Sequence, residues 1–187
     1  MRNSVVQHVD GFGRELENPD DPPDERFWSE LIWGKHRDEQ NVFYLHGALP
    51  FFDNGVAVIK EEYDEYNYLL QNINARMESG EYPIFVTAGD GRQKLTHIMH
   101  NRYLANSYES LCTIGGSLVT FGFNFGDYDE HIIDAVNLAA RQEPQKRLWS
   151  VYIGVYSDDD RKHVEQIKQK FKCKVHIYNT GTARVWR

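Results

Sequence analysis

Ser117-Leu-Val-Thr-Phe-Gly-Phe-Asn-Phe-Gly-Asp-Tyr-Asp-Glu-His-Ile-Ile133 is the stretch from which the fold is read. Leu118 to Phe121 is an apolar run with the β-branched and aromatic character of a buried strand. Gly122 and Gly126 supply a turn, and Asp127 and Asp129 stand where a helix should start. Ile132, Ile133, Val136 and Leu138 to Ala140 continue as the apolar side of that helix. Strand, glycine turn and helix N-terminus form the unit with which α/β proteins hold a phosphate or a ribose, because backbone N–H groups point out of it. Any junction of this kind also needs glycines and a cap, so a Gly-x-x-x-Gly spacing alone is weak support for a ligand.

Outward from this unit the pattern repeats. Downstream, Leu148 to Gly154 reads as a strand, Ser157 to Asp160 as the cap of a helix reaching about Phe171, and Lys174 to Tyr178 as a last strand. Upstream, Pro83 to Thr87 is a short buried strand, Asp90 caps a helix through Leu95, Ile98 and Met99, and a further helix covers about Arg102 to Ile114. From Ile84 onward, strands and helices therefore alternate, which predicts a parallel sheet with helices on its faces. The crossovers should be right-handed, giving a Rossmann-like layer. Earlier still, Tyr66 to Ser79 has helical periodicity, with Leu69, Leu70, Ile73 and Met77 on one face and Gly80 as its stop. Ala48 to Phe52 and Val56 to Lys60 flank Asp53-Asn54-Gly55, a hairpin turn. Asn41 to His46 is a strand by composition, ended by Gly47.

Residues 1–40 form an irregular lead-in, with turn chemistry at Asp10 to Gly13 and an acidic, proline-rich loop at Asn18 to Glu25. Phe27 to Trp33 reads as a short helical turn. Residues 41–187 form the α/β domain. The expected fold is a partial Rossmann-like three-layer arrangement: a small, mostly parallel sheet with helices on both faces, plus a β-hairpin.

Composition narrows the function. The 187 residues suffice for one domain with a core, and 41% hydrophobic with 26% charged residues is the balance of a soluble globular chain. A net charge of −7 without a Lys/Arg-rich run argues against nucleic acid or an anionic membrane as partner. No apolar stretch approaches the ~20 residues that span a bilayer, and the N-terminus lacks the apolar core of a signal peptide. Cys112 and Cys173 form no metal-type pair and suit a reducing compartment, so a cytoplasmic location is expected. His97 and His100 lie three apart on a helix but have no Cys or acidic third ligand nearby, so no metal is expected. Phe27, Trp28, Trp33, Phe43, Tyr44, Phe51 and Phe52 concentrate aromatic residues in the least regular third of the chain, as either a partner surface or a missing part of the structure would.

Two segments carry a resemblance. Val42-Phe-Tyr-Leu-His-Gly-Ala-Leu49 resembles the strand-His-Gly segment of sirtuins, and Leu118 to Gly126 resembles their Gly-x-Ser segment. The chain is more closely similar to a bacterial sirtuin-like group, the domain of unknown function numbered forty-nine seventeen. Its shared segments are here Tyr44 to Leu49, Glu78 to Val86, Phe121 to Ile132 and Trp186. The resemblance implies a domain that handles NAD, as sirtuin-like bacterial proteins that hydrolyse NAD in anti-phage defence do. It implies His46 as general base on the nicotinamide ribose, a task suited to an imidazole whose unperturbed pKa is about 6.5. It also implies Gly47, Gly122, Phe123, Asn124 and Gly126 along the cofactor. Asp127 and Asp129 read most simply as helix-capping carboxylates, and as a ligand of Asp129 a ribose hydroxyl fits better than a phosphate, while His131 either orients the glycine turn or sits at the surface.

Relatives of this kind carry a Gly-Asn-Gly-Ala-Ser-type loop and an Asn-Tyr-Asp segment ahead of the region matched here, and Phe123 and Asn124 replace the usual His-Ser or Tyr-Ser. The chain is therefore expected to be the C-terminal part of such a domain. It should act as an NAD glycohydrolase when a complementing N-terminal half is supplied, and be inactive alone. The alternative is a non-catalytic nucleotide-binding or protein-interaction module, including a homo-oligomer.

Overall fold

The computed structural model describes residues 7–17, 20, 22–23, 27–63 and 66–183. Trp186 and much of the acidic loop at 18–25 lie outside them. The chain divides into two units: residues 1–87 with Asn101–Leu104, and Ala88–His100 with residues 105–187.

In the first unit the Asp53-Asn54-Gly55 turn forms as expected. Asn54 Oδ1 accepts from the N–H of Val56 (3.0 Å) and of Ala57 (2.8 Å), and Gly55 takes φ +83°. The turn joins β3 (Gly47–Asp53) to β4 (Val58–Lys60), with Phe52 opposite Ile59. Around this hairpin a five-stranded antiparallel sheet assembles in the order β1-β2-β4-β3-β5, from β1 (Phe12–Gly13), β2 (Leu31–Trp33) and β5 (Pro83–Phe85). Its two faces are both apolar. Phe52 packs with Ile59 and Ile73, the latter from α1 (Leu69–Glu78), while Phe51 meets Phe12 (ring centroids 4.8 Å apart), Tyr44 (5.1 Å) and Tyr103 (5.1 Å). Arg76 of α1 ties the unit together by pairing with Glu30, Glu61 and Glu81. Burial works against its charge, but hydrogen bonds and charges from Glu61 and Glu30 outweigh that and raise its pKa.

Four expectations change here. Leu31–Trp33 is a strand rather than a helical turn, because β4 offers it a pairing edge. Residues 41–44 are not a strand; Leu45 and His46 form a turn, and β3 starts at Gly47. The strand at 83–85 joins β3 antiparallel and not the parallel sheet. On α1 only Ile73 of the expected face is buried, with Leu70 and Met77 exposed.

The second unit is built on three parallel strands in the order β6-β7-β8: β6 (Gly116–Thr120), β7 (Leu148–Val155) and β8 (Lys174–Asn179). The crossovers are α4 (Glu130–Ala140) and α5 (Asp158–Ile167). Two successive right-handed crossovers in an uninterrupted strand order lie on the same side of a sheet. That side is the buried one: Val151 and Ile153 are fully covered, and they pair with Val175 and Ile177 of β8. The opposite side carries Val119, 63% exposed, beside a Tyr152–His176 stack (4.7 Å). The sheet of this unit is wholly parallel, as expected, whereas the strands around the hairpin form a separate antiparallel sheet. Helix α2 (Gly91–His100) begins at a capping box, Asp90 Oδ1 accepting from Gln93 N–H (2.9 Å) while Asp90 N–H donates to Gln93 Oε1 (3.0 Å). Helix α3 (Arg102–Cys112) starts in the first unit and runs into the second.

Candidate functional site

The carboxyl ends of parallel strands are where a βα fold leaves room for a ligand, because each chain turns away there into its helix. At that edge of β6, β7 and β8 lies a hollow of about 410 Å³. Phe121, Gly122, Phe123 and Asn124 line it from the loop after β6. Gly154, Tyr156 and Asp160 line it from the junction of β7 with α5, and Thr180 from the end of β8.

The loop after β6 is held by its aromatic residues. Gly122 takes φ +67°, which its missing Cβ permits. Phe125 takes φ +53°, a conformation that costs a non-glycine residue about 1–2 kcal/mol. Its ring, 1% exposed, offsets this by wedging between Phe123 (4.8 Å) and Phe171 (5.1 Å). Its carbonyl accepts from His163 Nε2 (3.2 Å), which places the imidazole proton on that nitrogen. Gly126, expected to shape the turn, has φ −61° and needs no glycine; Phe125 makes the bend.

Gly154 has a different purpose. Tyr178 lies across it and donates its hydroxyl to the Thr120 carbonyl (2.7 Å), tying β8 to the end of β6 over the middle strand. A Cβ on Gly154 would come within 2.6 Å of Thr180 Cγ2, 2.7 Å of Tyr178 Oη and 2.8 Å of the Thr120 oxygen. Thr180 Oγ1 in turn donates to the Val155 carbonyl (3.1 Å). The floor of the hollow is therefore fixed by hydrogen bonds among three strand ends.

Among the described residues lining it, the carboxylate is Asp160. In the capping box of α5, Asp160 N–H donates to Ser157 Oγ (3.1 Å), and Asp160 Oδ2 accepts from the N–H groups of Ser157 (3.0 Å) and Tyr156 (3.2 Å). These bonds, from Ser157 above all, hold the Asp160 pKa below its ordinary value and the group charged. A fixed negative charge here favours sugar hydroxyls as donors and disfavours a phosphate in direct contact.

Of the residues expected at the cofactor, Gly122, Phe123 and Asn124 are brought together at this hollow, whereas Gly126, Asp129 and His131 are not among those lining it. Asp129 was also expected to cap its helix; instead its carboxylate accepts from Lys94 Nζ of α2 (2.9 Å), and its side chain makes no capping bond. Asp127 falls in the short 3-10 turn that precedes α4. His131, 2% exposed, sits in the first turn of α4, where its carbonyl accepts from the Tyr108 hydroxyl (2.9 Å) and α2 starts against its backbone at Gly91.

His46 and Gly47 belong to the first unit. His46 is half-buried and its carbonyl accepts from Val86 N–H (2.8 Å). Gly47 has φ +78°, and a Cβ there would overlap the Ile84 carbonyl. Sequence reasoning missed Gly154, Tyr156, Asp160 and Thr180. A signal existed, since Gly154 to Asp160 repeats the strand, turn and cap pattern of the stretch at 117–133.

No helix among the described residues is long and apolar enough to cross a membrane. The chain belongs to the family described as Domain of unknown function (DUF4917), which matches residues 6–186. Neither a curated protein nor a solved structure matches it.

Proposed function

We propose that this family member binds the ribose-bearing portion of NAD or ADP-ribose at the carboxyl edge of its parallel sheet. The observation that carries this reading is the hollow of about 410 Å³ where the loops leaving all three strands converge. Glycine backbone at 122 allows close approach, Phe121 and Phe123 offer apolar surface to a ring, and Asp160 is a charged acceptor for ribose hydroxyls. The β6-α4-β7-α5-β8 order agrees with a Rossmann-like layer, and the sirtuin-like resemblance of Leu118 to Gly126 supplies the choice of NAD.

Catalysis is the next step of the same proposal: an NAD glycohydrolase in which water displaces nicotinamide at the ribose, leaving ADP-ribose, with His46 as base. That assignment rests on the resemblance of Tyr44 to Leu49. A second reading, a protein-interaction module, draws on exposed side chains of the parallel sheet, Val119 and Tyr152. Calorimetric titration of the purified chain with NAD and ADP-ribose, beside an assay of nicotinamide release, separates these. Binding with release that His46→Ala removes supports the hydrolase. Binding without release leaves a nucleotide-binding module. Absence of binding, with concentration-dependent association in sedimentation, favours the interaction module.

A further inference from the structure

The opposite end of the same strands holds a second hollow, of about 450 Å³, where β7 and β8 begin. Its walls include Arg147, Trp149, Lys172 and Lys174, and among the described residues no carboxylate lines it. In a chain of net charge −7 this is a local reversal of sign. None of the ion pairs among the described residues uses Arg147, Lys172 or Lys174.

The cations are also set in place. The Arg147 guanidinium lies over the Trp149 ring, 3.7 Å from its centroid. Stacking orders the guanidinium through its face and leaves the in-plane N–H donors available. Lys172 sits where its backbone N–H donates to Asn137 Oδ1 of α4 (2.7 Å), while Asn137 Nδ2 donates to the Lys170 carbonyl (2.9 Å). This clamp fixes the approach to β8, from which Lys174 also projects.

A plainer account of one cation is the carboxyl end of α4, whose Ala140 lines the hollow, because basic groups answer a helix C-terminus. There, however, the Leu138 and Ala139 carbonyls already accept from the N–H groups of Arg141 and Gln142, and three converging cations exceed what a half-charge calls for. We propose that this amino-edge hollow is an anion site for a small ligand carrying two or more phosphate groups, with Arg147 as the bidentate donor and Lys172 and Lys174 as point charges. The acidic remainder of the chain opposes a long nucleic-acid backbone and leaves a compact polyphosphate as the fitting class. The site is separate from the carboxyl-edge hollow, and either can fail without the other.

Titration of the full chain with inorganic pyrophosphate tests it, beside a single-stranded RNA oligonucleotide. Pyrophosphate should bind, weaken about tenfold or more in R147Q/K172Q, and weaken further as salt rises. Lys172 is exposed and Arg147 half-buried, so a circular-dichroism melt matching the parent is expected and checks that the variant is folded. Gly122→Ala, at the other edge, should leave pyrophosphate affinity unchanged. No pyrophosphate binding, affinity unaltered by R147Q/K172Q, or binding of RNA without pyrophosphate would each overturn the proposal.

Discussion

The two ends of the parallel strands differ in what they offer a ligand. Among the described residues, the carboxyl edge presents glycine backbone, aromatic rings and one charged carboxylate, with no Lys or Arg lining it. The amino edge presents, among the same residues, three cations around a tryptophan and no acid. Hollows of similar volume, on the same three strands, thus suit opposite partners: hydroxyls and rings at one end, phosphates at the other. The lesson is that a βα fold fixes where space opens, while the side chains at each loop decide the chemistry that fills it.

The largest expected effect comes from filling one edge alone. Gly154→Val should abolish ADP-ribose binding, since its side chain meets Tyr178 and Thr180, and overpacking there should cost about 1–3 kcal/mol of stability. Pyrophosphate binding at the amino edge should survive in the fraction that folds. If both are lost while the protein stays folded, the two edges are not independent. Thermal melts and paired titrations supply both readings.

Salt should sharpen the contrast at intermediate size. Raising ionic strength from 0.05 to about 0.5 M shortens the screening length and should weaken pyrophosphate binding several-fold. ADP-ribose, held at the carboxyl edge by hydroxyl and ring contacts, should lose less. Equal losses would mean that one site serves both ligands.

A smaller effect is expected from Tyr178→Phe, which keeps the ring over Gly154 but removes the bond to the Thr120 carbonyl. Denaturant unfolding should report a loss of about 1 kcal/mol. A loss near zero would show that the tie between β8 and β6 is packing alone.

A further effect concerns pH. Burial pushes the Tyr108 hydroxyl up to about 12, with Cys112 and Asp134 adding to it, and pushes the Cys112 thiol up to about 11, helped by Glu109. Both groups favour their protonated form in the folded chain. Their contribution is intact below the ordinary values of 9.0 and 10.0 and is lost as pH rises towards about 11 and about 12. Stability measured across this range should fall, and less steeply in Tyr108→Phe.

The parallel unit was legible because its signals are local. Capping residues at Asp90 and Ser157, strands at 118–121 and 148–154, and helical periodicity between them agree in place with the elements found, although the first run, expected to be buried, leaves Val119 and Phe121 exposed. The antiparallel unit was less legible, since its strands are two to seven residues long and set by partners distant in sequence. Phe12 and Trp33 pair across a proline-rich loop, and nothing in either segment announces it. His46 was read as a strand end because Val42 to Leu45 is apolar, yet the Tyr44 to Gly47 turn and its bond from Gly47 N–H to the Tyr44 carbonyl place it ahead of β3.

Within the site, glycines were read as equivalent. Gly122 is required for the turn and Gly154 for the crossing of Tyr178, while Gly126 is not required and Phe125 adopts the left-handed backbone instead. Distinguishing these needs dihedral angles and neighbouring atoms, which a sequence does not carry. The pairing of Asp129 with Lys94, 35 positions apart, was hidden for the same reason.

Amide chemical-shift mapping during titration with ADP-ribose tests the central claim most directly, because it reads both strand ends in one experiment. Shifts are predicted at Gly122, Phe123, Asn124, Gly154, Tyr156 and Thr180 in the parent and in R147Q/K172Q alike, whereas any shift at Trp149 and Cys173, which follows the diphosphate to the amino edge, should be lost in that variant. Shifts confined to the amino edge, or none at millimolar ligand, would contradict a ribose site at the carboxyl ends of the parallel strands.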